Sequence, residues 1–144
     1  MTTTRSTATV SPHDYRFWTD EKLRNADTDR QGHVNNVTVA VFFEAGRIEV
    51  LDHPDNAAIR RDHGVVVARQ LIQYKKELFY PGTVRVGTRV SRIGTSSFDF
   101  EQVLVGQDGI AATGEATCVL IDRVTRKPVP IPPSMRLHLT GRAD

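Results

Sequence analysis

Hydrophobic and polar positions alternate through the second half of the chain. From Thr83 to Val90, Val84, Val86, Thr88 and Val90 fall on one face and Arg85, Gly87 and Arg89 on the other, the period of a half-buried strand. Ser97 to Val105 repeats the pattern, with Phe98, Phe100, Gln102 and Leu104 opposed to Asp99, Glu101, Val103 and Val105. Gly94-Thr95-Ser96 is a tight connection between the two, and Gln107-Asp108-Gly109 carries the Asp-Gly hairpin signal. Ala111 to Asp122 is a long stretch rich in β-branched residues, and Val65 to Leu78 is an earlier strand closed by a Tyr80-Pro81-Gly82 turn. Four long strands with short turns predict an antiparallel sheet. A fifth strand is expected within Tyr15–Asp27.

The period changes over Asn36–Leu51. Val37 to Phe43 has strand propensity, whereas Glu44 to Leu51 reads as helix, with Glu44 and Arg47 three apart as a favourable ion pair. Asn35 or Asn36 can cap the start and Pro54 closes the end, so the stretch is read as one helix of about four turns. It is apolar on nearly every face, and a single sheet covers only one side of a helix. A second subunit or a long loop is therefore predicted to cover the other. The fold class is α+β, an antiparallel sheet of about five strands wrapped around one long buried helix. No repeat or linker interrupts residues 14–139, which are read as one domain. Residues 1–13, dominated by Thr, Ser and Ala, are read as a disordered tail and residues 140–144 as a C-terminal tail. Pro128, Pro130, Pro132 and Pro133 bar a central strand and favour an extended surface arm, followed by a short helical turn over Ser134–Leu139.

Composition removes several functions. A chain of 144 residues buries roughly two thirds of its unfolded surface and needs no staples. Nineteen Lys and Arg against 17 Asp and Glu leave a formal charge of +2, too little for a dedicated nucleic-acid surface. The lone Cys118 forms no disulfide framework and fits a reducing compartment. The five His include no pair at metal-ligand spacing with a third ligand nearby, so no metal site is expected. Thr38, Glu44, Arg47 and Glu49 interrupt the richest apolar stretch, so no membrane span is expected. The N-terminus lacks the apolar core of a secretory signal, and a cytoplasmic location is expected.

The densest polar cluster, Asp27-Thr28-Asp29-Arg30-Gln31-Gly32-His33-Val34-Asn35-Asn36, lies just before the predicted helix. Gly32 allows a backbone turn that a side chain would obstruct. Asn35 and Asn36 can satisfy the free N–H groups of the helix start, and those N–H groups can in turn meet a developing oxyanion. Asp29 supplies a carboxylate a few residues away. A carboxylate opposite polarised N–H donors is what hydrolytic acyl transfer needs. Asp and Asn before a helix are equally common as caps, and spacing alone does not choose between the two readings.

The run Asp29-x-x-Gly32-His33-Val34-Asn35-Asn36, followed by Phe43-Glu44-x-x-Arg47, resembles the signature of the hotdog-fold acyl-CoA thioesterases related to 4-hydroxybenzoyl-CoA thioesterase. Tyr74-Lys75-x-x-Leu78…Gly82 and Ile93-Gly94-x-x-Ser97-Phe98 fall at the same family's spacing, so the likeness covers about residues 14–123. The resemblance implies the hotdog fold and hydrolysis of an acyl-CoA thioester without a bound cofactor, with an acyl carrier protein thioester as an alternative substrate. It makes Asp29 the nucleophile or general base and puts the oxyanion donor near the Asn36 amide. It implies a homodimer or homotetramer whose acyl tunnel runs between subunits. Gly32, Asn35 and His33 would shape the loop, with His33 orienting Asp29. Val39 stands where the family often has Tyr, which leaves the acyl group open. The turn before Ser97, which carries basic residues in some members, is uncharged here. Arg92, with Ser97 beside it, and Arg126 and Lys127 are then the candidates to meet the CoA phosphates. Glu44 is read as paired with Arg47, and Cys118 as a packing residue. No Gly-x-Ser-x-Gly elbow supports a serine triad.

Two rival classes share this architecture. Hotdog hydratases acting on enoyl-CoA resemble a pattern with Asp five before His and a Pro between. Here Asp29 and His33 are four apart with no Pro between them. A non-catalytic acyl-CoA-binding module would not need the Asp29 carboxylate.

Overall fold

A computed structural model describes residues 14–141. The chain runs β1 (Phe17–Lys22), α1 (Asn36–Leu51), α2 (Ala57–Asp62), β2 (His63–Tyr74), β3 (Thr83–Ile93), β4 (Ser97–Gly106), β5 (Gly109–Asp122) and α3 (Pro133–Thr140). The expected tail 1–13 lies outside the described residues, and so do 142–144. Five antiparallel strands form one sheet in the order β1-β3-β4-β5-β2, and α1 packs on its β1, β3 and β4 portion. This is the hotdog architecture.

The alternation read from the sequence sorts the two faces of the sheet. Val84, Val86, Phe98, Phe100, Leu104, Ala112, Ala116, Cys118 and Leu120 are buried toward the helix side. Arg85 and Arg89 lie on the other face, over the rings of Trp18 and Tyr15. Those two rings approach the backbone at Gly87, beside the fully buried Val103.

The helix follows its predicted span, but its polar residues do not follow the predicted pairing. Arg47 is buried, and its Nη1 donates to Gln102 Oε1 at 3.1 Å, while Glu44 is exposed. Gln102 completes the link, donating from Nε2 to the Phe43 carbonyl at 2.9 Å and to Thr88 Oγ1 at 3.0 Å. The expected Glu44–Arg47 pair gives way because position 47 falls on the sheet-facing side of the helix. Burial there pushes the Arg47 guanidinium below its ordinary value.

Three further differences have local causes. Strand β2 ends at Tyr74 rather than Leu78, because the N–H groups of both Lys75 and Lys76 converge on the Ala111 carbonyl at 2.8 and 3.1 Å and end the ladder. The segment 75–82 then leaves the sheet edge and meets the loop before α1, through Val34 N–H to the Leu78 carbonyl at 2.7 Å. The proline arm is pinned rather than a free surface arm: Val129 N–H bonds the Leu120 carbonyl, Ile131 N–H bonds the Thr95 carbonyl, and Ile131 is buried. The six-residue α2 was not read from the sequence at all.

Among the described residues nothing covers the far side of α1. Val37 and Val41 are exposed there, and so are Val67, Leu71 and Tyr74 on β2, whose outer backbone edge has no partner among the described strands. On the sheet side the approach is close. A Cβ at Gly46 would stand 2.6 Å from Val86 Cγ1, 2.8 Å from Thr88 Oγ1 and 2.9 Å from Gln102 Nε2. Gly46→Ala is therefore expected to destabilise the fold by about 1–2 kcal/mol, overpacking outweighing the better helix propensity of Ala. Urea unfolding monitored by circular dichroism reads this, and equal or higher stability would show that the helix has room to lift.

Candidate active site

The loop before α1 is built on one buried carboxylate. Asp27 is 2% exposed, accepting from the Arg24 backbone N–H at 2.8 Å and from Arg24 Nη2 at 2.9 Å. Its own carbonyl accepts from Asn35 N–H at 2.8 Å. Between these anchors the chain folds back on itself. Thr28 bridges Val34, Asp29 N–H bonds the His33 carbonyl at 2.9 Å, and Gly32 N–H bonds the Asp29 carbonyl at 3.1 Å. Gly32 has φ 87°, a left-handed conformation that explains a glycine there.

Asp29 sits at the tip of this turn with its side chain 26% exposed. Oδ1 accepts from Gln31 N–H at 2.9 Å, and Oδ2 lies 3.2 Å from His33 Nδ1. The other ring nitrogen, His33 Nε2, lies 3.0 Å from Gln31 Oε1 and 3.9 Å from Glu77 Oε1. Both ring nitrogens thus face acceptor oxygens, and the imidazole ties Asp29 to the segment that follows β2.

Asn35 is the N-cap, its Oδ1 accepting from Val37 N–H at 2.9 Å. Asn36 is the first helical residue, and its N–H makes no hydrogen bond among the described residues. The positive end of the helix is therefore left open. It borders a cleft of about 310 Å³ whose walls include His33, Asn36, Val39, Tyr74, Lys75 and Glu77. Val39 is buried and makes that part of the wall apolar. Tyr74 closes one side, its hydroxyl donating to the Asn36 carbonyl at 3.2 Å. Asp29 touches the cleft through His33 and does not itself line it.

The loop and the helix start thus bring Asp29, Gly32, His33, Asn35, Asn36 and Val39 together. Arg92 and Ser97 stand elsewhere. Ser97 pairs with Val119 on β5, while Tyr74 pairs with Ala112, a separation of about 24 Å at the rise of a strand. Arg92 grips Asp99 with Nε and Nη2, at 2.8 and 3.2 Å, and Nη2 also reaches Ser97 Oγ at 3.0 Å. That grip holds the Asp99 carboxyl below its usual range. Arg126 lies in the turn after β5, in a left-handed conformation. Tyr74, Lys75 and Glu77 are cleft residues to which the sequence assigned no role. Tyr74 and Lys75 stood in a family-spaced stretch, and nothing singled out Glu77. Among the described residues no three His, Cys, Asp or Glu side chains are placed to hold a metal, and no helix is long and apolar enough to cross a membrane.

Solved structures share this fold. The PA5185 protein of Pseudomonas aeruginosa strain PAO1 superposes with a TM-score of 0.81 at 28% identity, over 88% of this chain and 91% of its own. A predicted thioesterase from Bacillus stearothermophilus is 34% identical with a TM-score of 0.77, over 85% of this chain and 92% of its own. A thioesterase from Thermus thermophilus, solved in complex with coenzyme A and Zn, has a TM-score of 0.76 at 27% identity, over 87% of this chain and 98% of its own. With the sequence model of the thioesterase-like superfamily matching residues 23–139, the chain belongs to that superfamily.

Proposed function

We propose that this thioester hydrolase cleaves acyl-CoA to a free acid and CoA at the cleft beside the N-terminus of α1. The observation that carries the reading is the unpartnered Asn36 N–H at the mouth of a largely apolar cleft, with His33 on its wall and Asp29 held behind His33. The coenzyme A held by the Thermus thermophilus relative supports CoA as the thiol half of the substrate.

In this reading the thioester carbonyl oxygen points at Asn36 N–H. Negative charge develops on that oxygen as the carbon becomes tetrahedral, and a donor fixed by a helix needs no reorganisation to meet it. Asp29 takes a proton from water, whose oxygen adds to the carbonyl carbon. The C–S bond then breaks, and the proton passes to the departing CoA sulfur. The alternative route forms an acyl-Asp29 anhydride that water hydrolyses. His33 holds one Asp29 oxygen and Gln31 N–H the other, which fixes the direction of the carboxylate. Gly32 and Asn35 shape the turn and cap the helix. Lys75, exposed at the rim, gives the pyrophosphate arm of CoA a cation to approach. Arg92 and Ser97 enter this reading only if they meet the nucleotide from another subunit, because within one chain they lie at the far end of the sheet.

The assembly proposed is a homodimer at least. The exposed stripe of Val37 and Val41 on α1, with Val67, Leu71 and Tyr74 on the unpaired edge strand β2, supports a second copy seated there.

Asp29→Asn keeps the shape of the turn and removes the charge. It is expected to lower kcat for a good acyl-CoA by about a hundredfold or more, measured with a thiol-reactive dye. Near-normal turnover in a folded variant would remove Asp29 from the chemistry, while tight binding without any thiol release by the unmutated protein would favour a binding module. Cys118 is buried, which pushes its thiol up to about 11 against the opposing effect of Arg47. The native protein is accordingly expected to give no signal with that dye at pH 8, and one thiol per chain in denaturant. In light scattering at micromolar concentration a dimer or larger particle is expected, and a monomer would refute the shared interface.

A further inference from the structure

The His33 ring meets oxygen at both of its nitrogens. Nδ1 lies 3.2 Å from Asp29 Oδ2 and 3.4 Å from the Val34 carbonyl. A carbonyl cannot donate, and neither can an ionised carboxylate, so Nδ1 is the nitrogen that keeps a proton. Nε2 lies 3.0 Å from Gln31 Oε1. The charged groups that face the ring or share its cleft are Asp29 on its own loop, and Lys75, Lys76 and Glu77 on the segment after β2. Glu77 Oε1 stands 3.9 Å from Nε2, outside hydrogen-bond reach. Gln31 is thus the hydrogen-bond partner of Nε2 among the described residues, while its backbone N–H holds the other Asp29 oxygen.

An imidazole gains and loses its charge near neutral pH. With Nδ1 protonated throughout, that change falls on Nε2. A protonated Nε2 needs an acceptor, and a bare one needs a donor. A primary amide offers both, because a half-turn about its last side-chain bond exchanges oxygen for NH2 at the same place. We propose that Gln31 is a positioning residue for Asp29 that acts through His33: its amide meets Nε2 with or without a proton there, so the ring stays in place and Nδ1–H stays on Asp29. The inference rests on the hydrolytic reading and adds what keeps the carboxylate in one direction across the neutral pH range. Without the amide, the ring, 23% exposed, can turn toward water, and turning takes Nδ1–H away from Asp29.

Gln31 is exposed, so its variants are expected to fold, which circular dichroism of the full-length protein checks. Gln31→Leu removes the amide and keeps the backbone N–H to Asp29. It is expected to lower kcat for a good acyl-CoA about three- to tenfold and to leave KM within about twofold. Gln31→Glu offers an acceptor of the same reach, which suits the protonated ring. At pH 6 it is expected to bring kcat back to within about threefold of the unmutated protein while Gln31→Leu stays low. NMR of 15N-labelled histidine reads the ring directly: His33 of the unmutated protein is expected to keep its proton on Nδ1 from pH 6 to pH 9, and Gln31→Leu to show a mixture of tautomers at pH 9. A proton on Nε2 alone in the unmutated protein, a Gln31→Leu kcat within twofold of it, a loss confined to KM, or Gln31→Glu no better than Gln31→Leu at pH 6 would each overturn the proposal. An inactive Asp29→Asn beside a fully active Gln31→Leu would sink this inference alone, whereas an active Asp29→Asn would remove the hydrolytic role of Asp29 and this inference with it.

Discussion

The closeness of α1 to the sheet governs the rest of the molecule. Gly46 lets the helix backbone descend until no methyl fits beneath it, and a Cβ at Gly114 would crowd the Phe43 ring at 3.2 Å. At that distance a polar residue under the helix must be fully bonded or removed. Gln102 is the residue that answers, bonding a helix carbonyl, the Thr88 hydroxyl and the Arg47 guanidinium from a single side chain on β4. No carboxylate among the described residues lies within ion-pair distance of the buried guanidinium, so the amide of Gln102 is what keeps it from standing alone between helix and sheet. With the helix locked this way, its first turn has a fixed position relative to the end of β2, and the cleft between them has fixed walls.

The loop that feeds α1 uses two carboxylates two residues apart in opposite ways. Asp27 is buried and satisfied by Arg24, and the carbonyl of the same residue holds Asn35 at the helix start. Asp29 is partly exposed at the turn tip, held by one backbone N–H and one imidazole. A buried carboxylate with its charge matched is an anchor. A carboxylate held in direction but left partly in solvent is the one that can meet a substrate. The chemistry proposed for Asp29 therefore depends on Asp27 having taken the structural role.

What the sequence made legible follows from the range of the interactions involved. The strands and α1 were readable because periods of two and of 3.6 are local. The cap at Asn35 and the glycine at 32 were readable for the same reason. Arg47 was misread because the rule for pairs three apart applies to a solvent-facing stripe, and position 47 faces β4. The early end of β2 depends on the Ala111 carbonyl, more than thirty residues further along the chain, and the role of Tyr74 depends on Asn36. Arg92 and Ser97 lie along the sheet from the cleft of the same chain, which a linear motif does not show. The short α2 carries too few residues to establish a period.

The two ends of α1 show how the helix divides its work. Every α-helix leaves carbonyls unmet at its C-terminus and N–H groups unmet at its N-terminus. At the C-terminal end this chain commits partners to them: Asp52 N–H bonds the Ile48 carbonyl, His138 Nε2 approaches the Val50 carbonyl at 2.9 Å, and Asn56 Nδ2 reaches the Leu51 carbonyl. At the N-terminal end Asn35 satisfies Val37 N–H, and the Asn36 N–H has no partner among the described residues. A fold able to bring residues from as far away as His138 to satisfy one end leaves a donor open at the other, beside a cleft. Asn36 is exposed, so water can meet its N–H, and the proposed function has the substrate's carbonyl oxygen take that water's place.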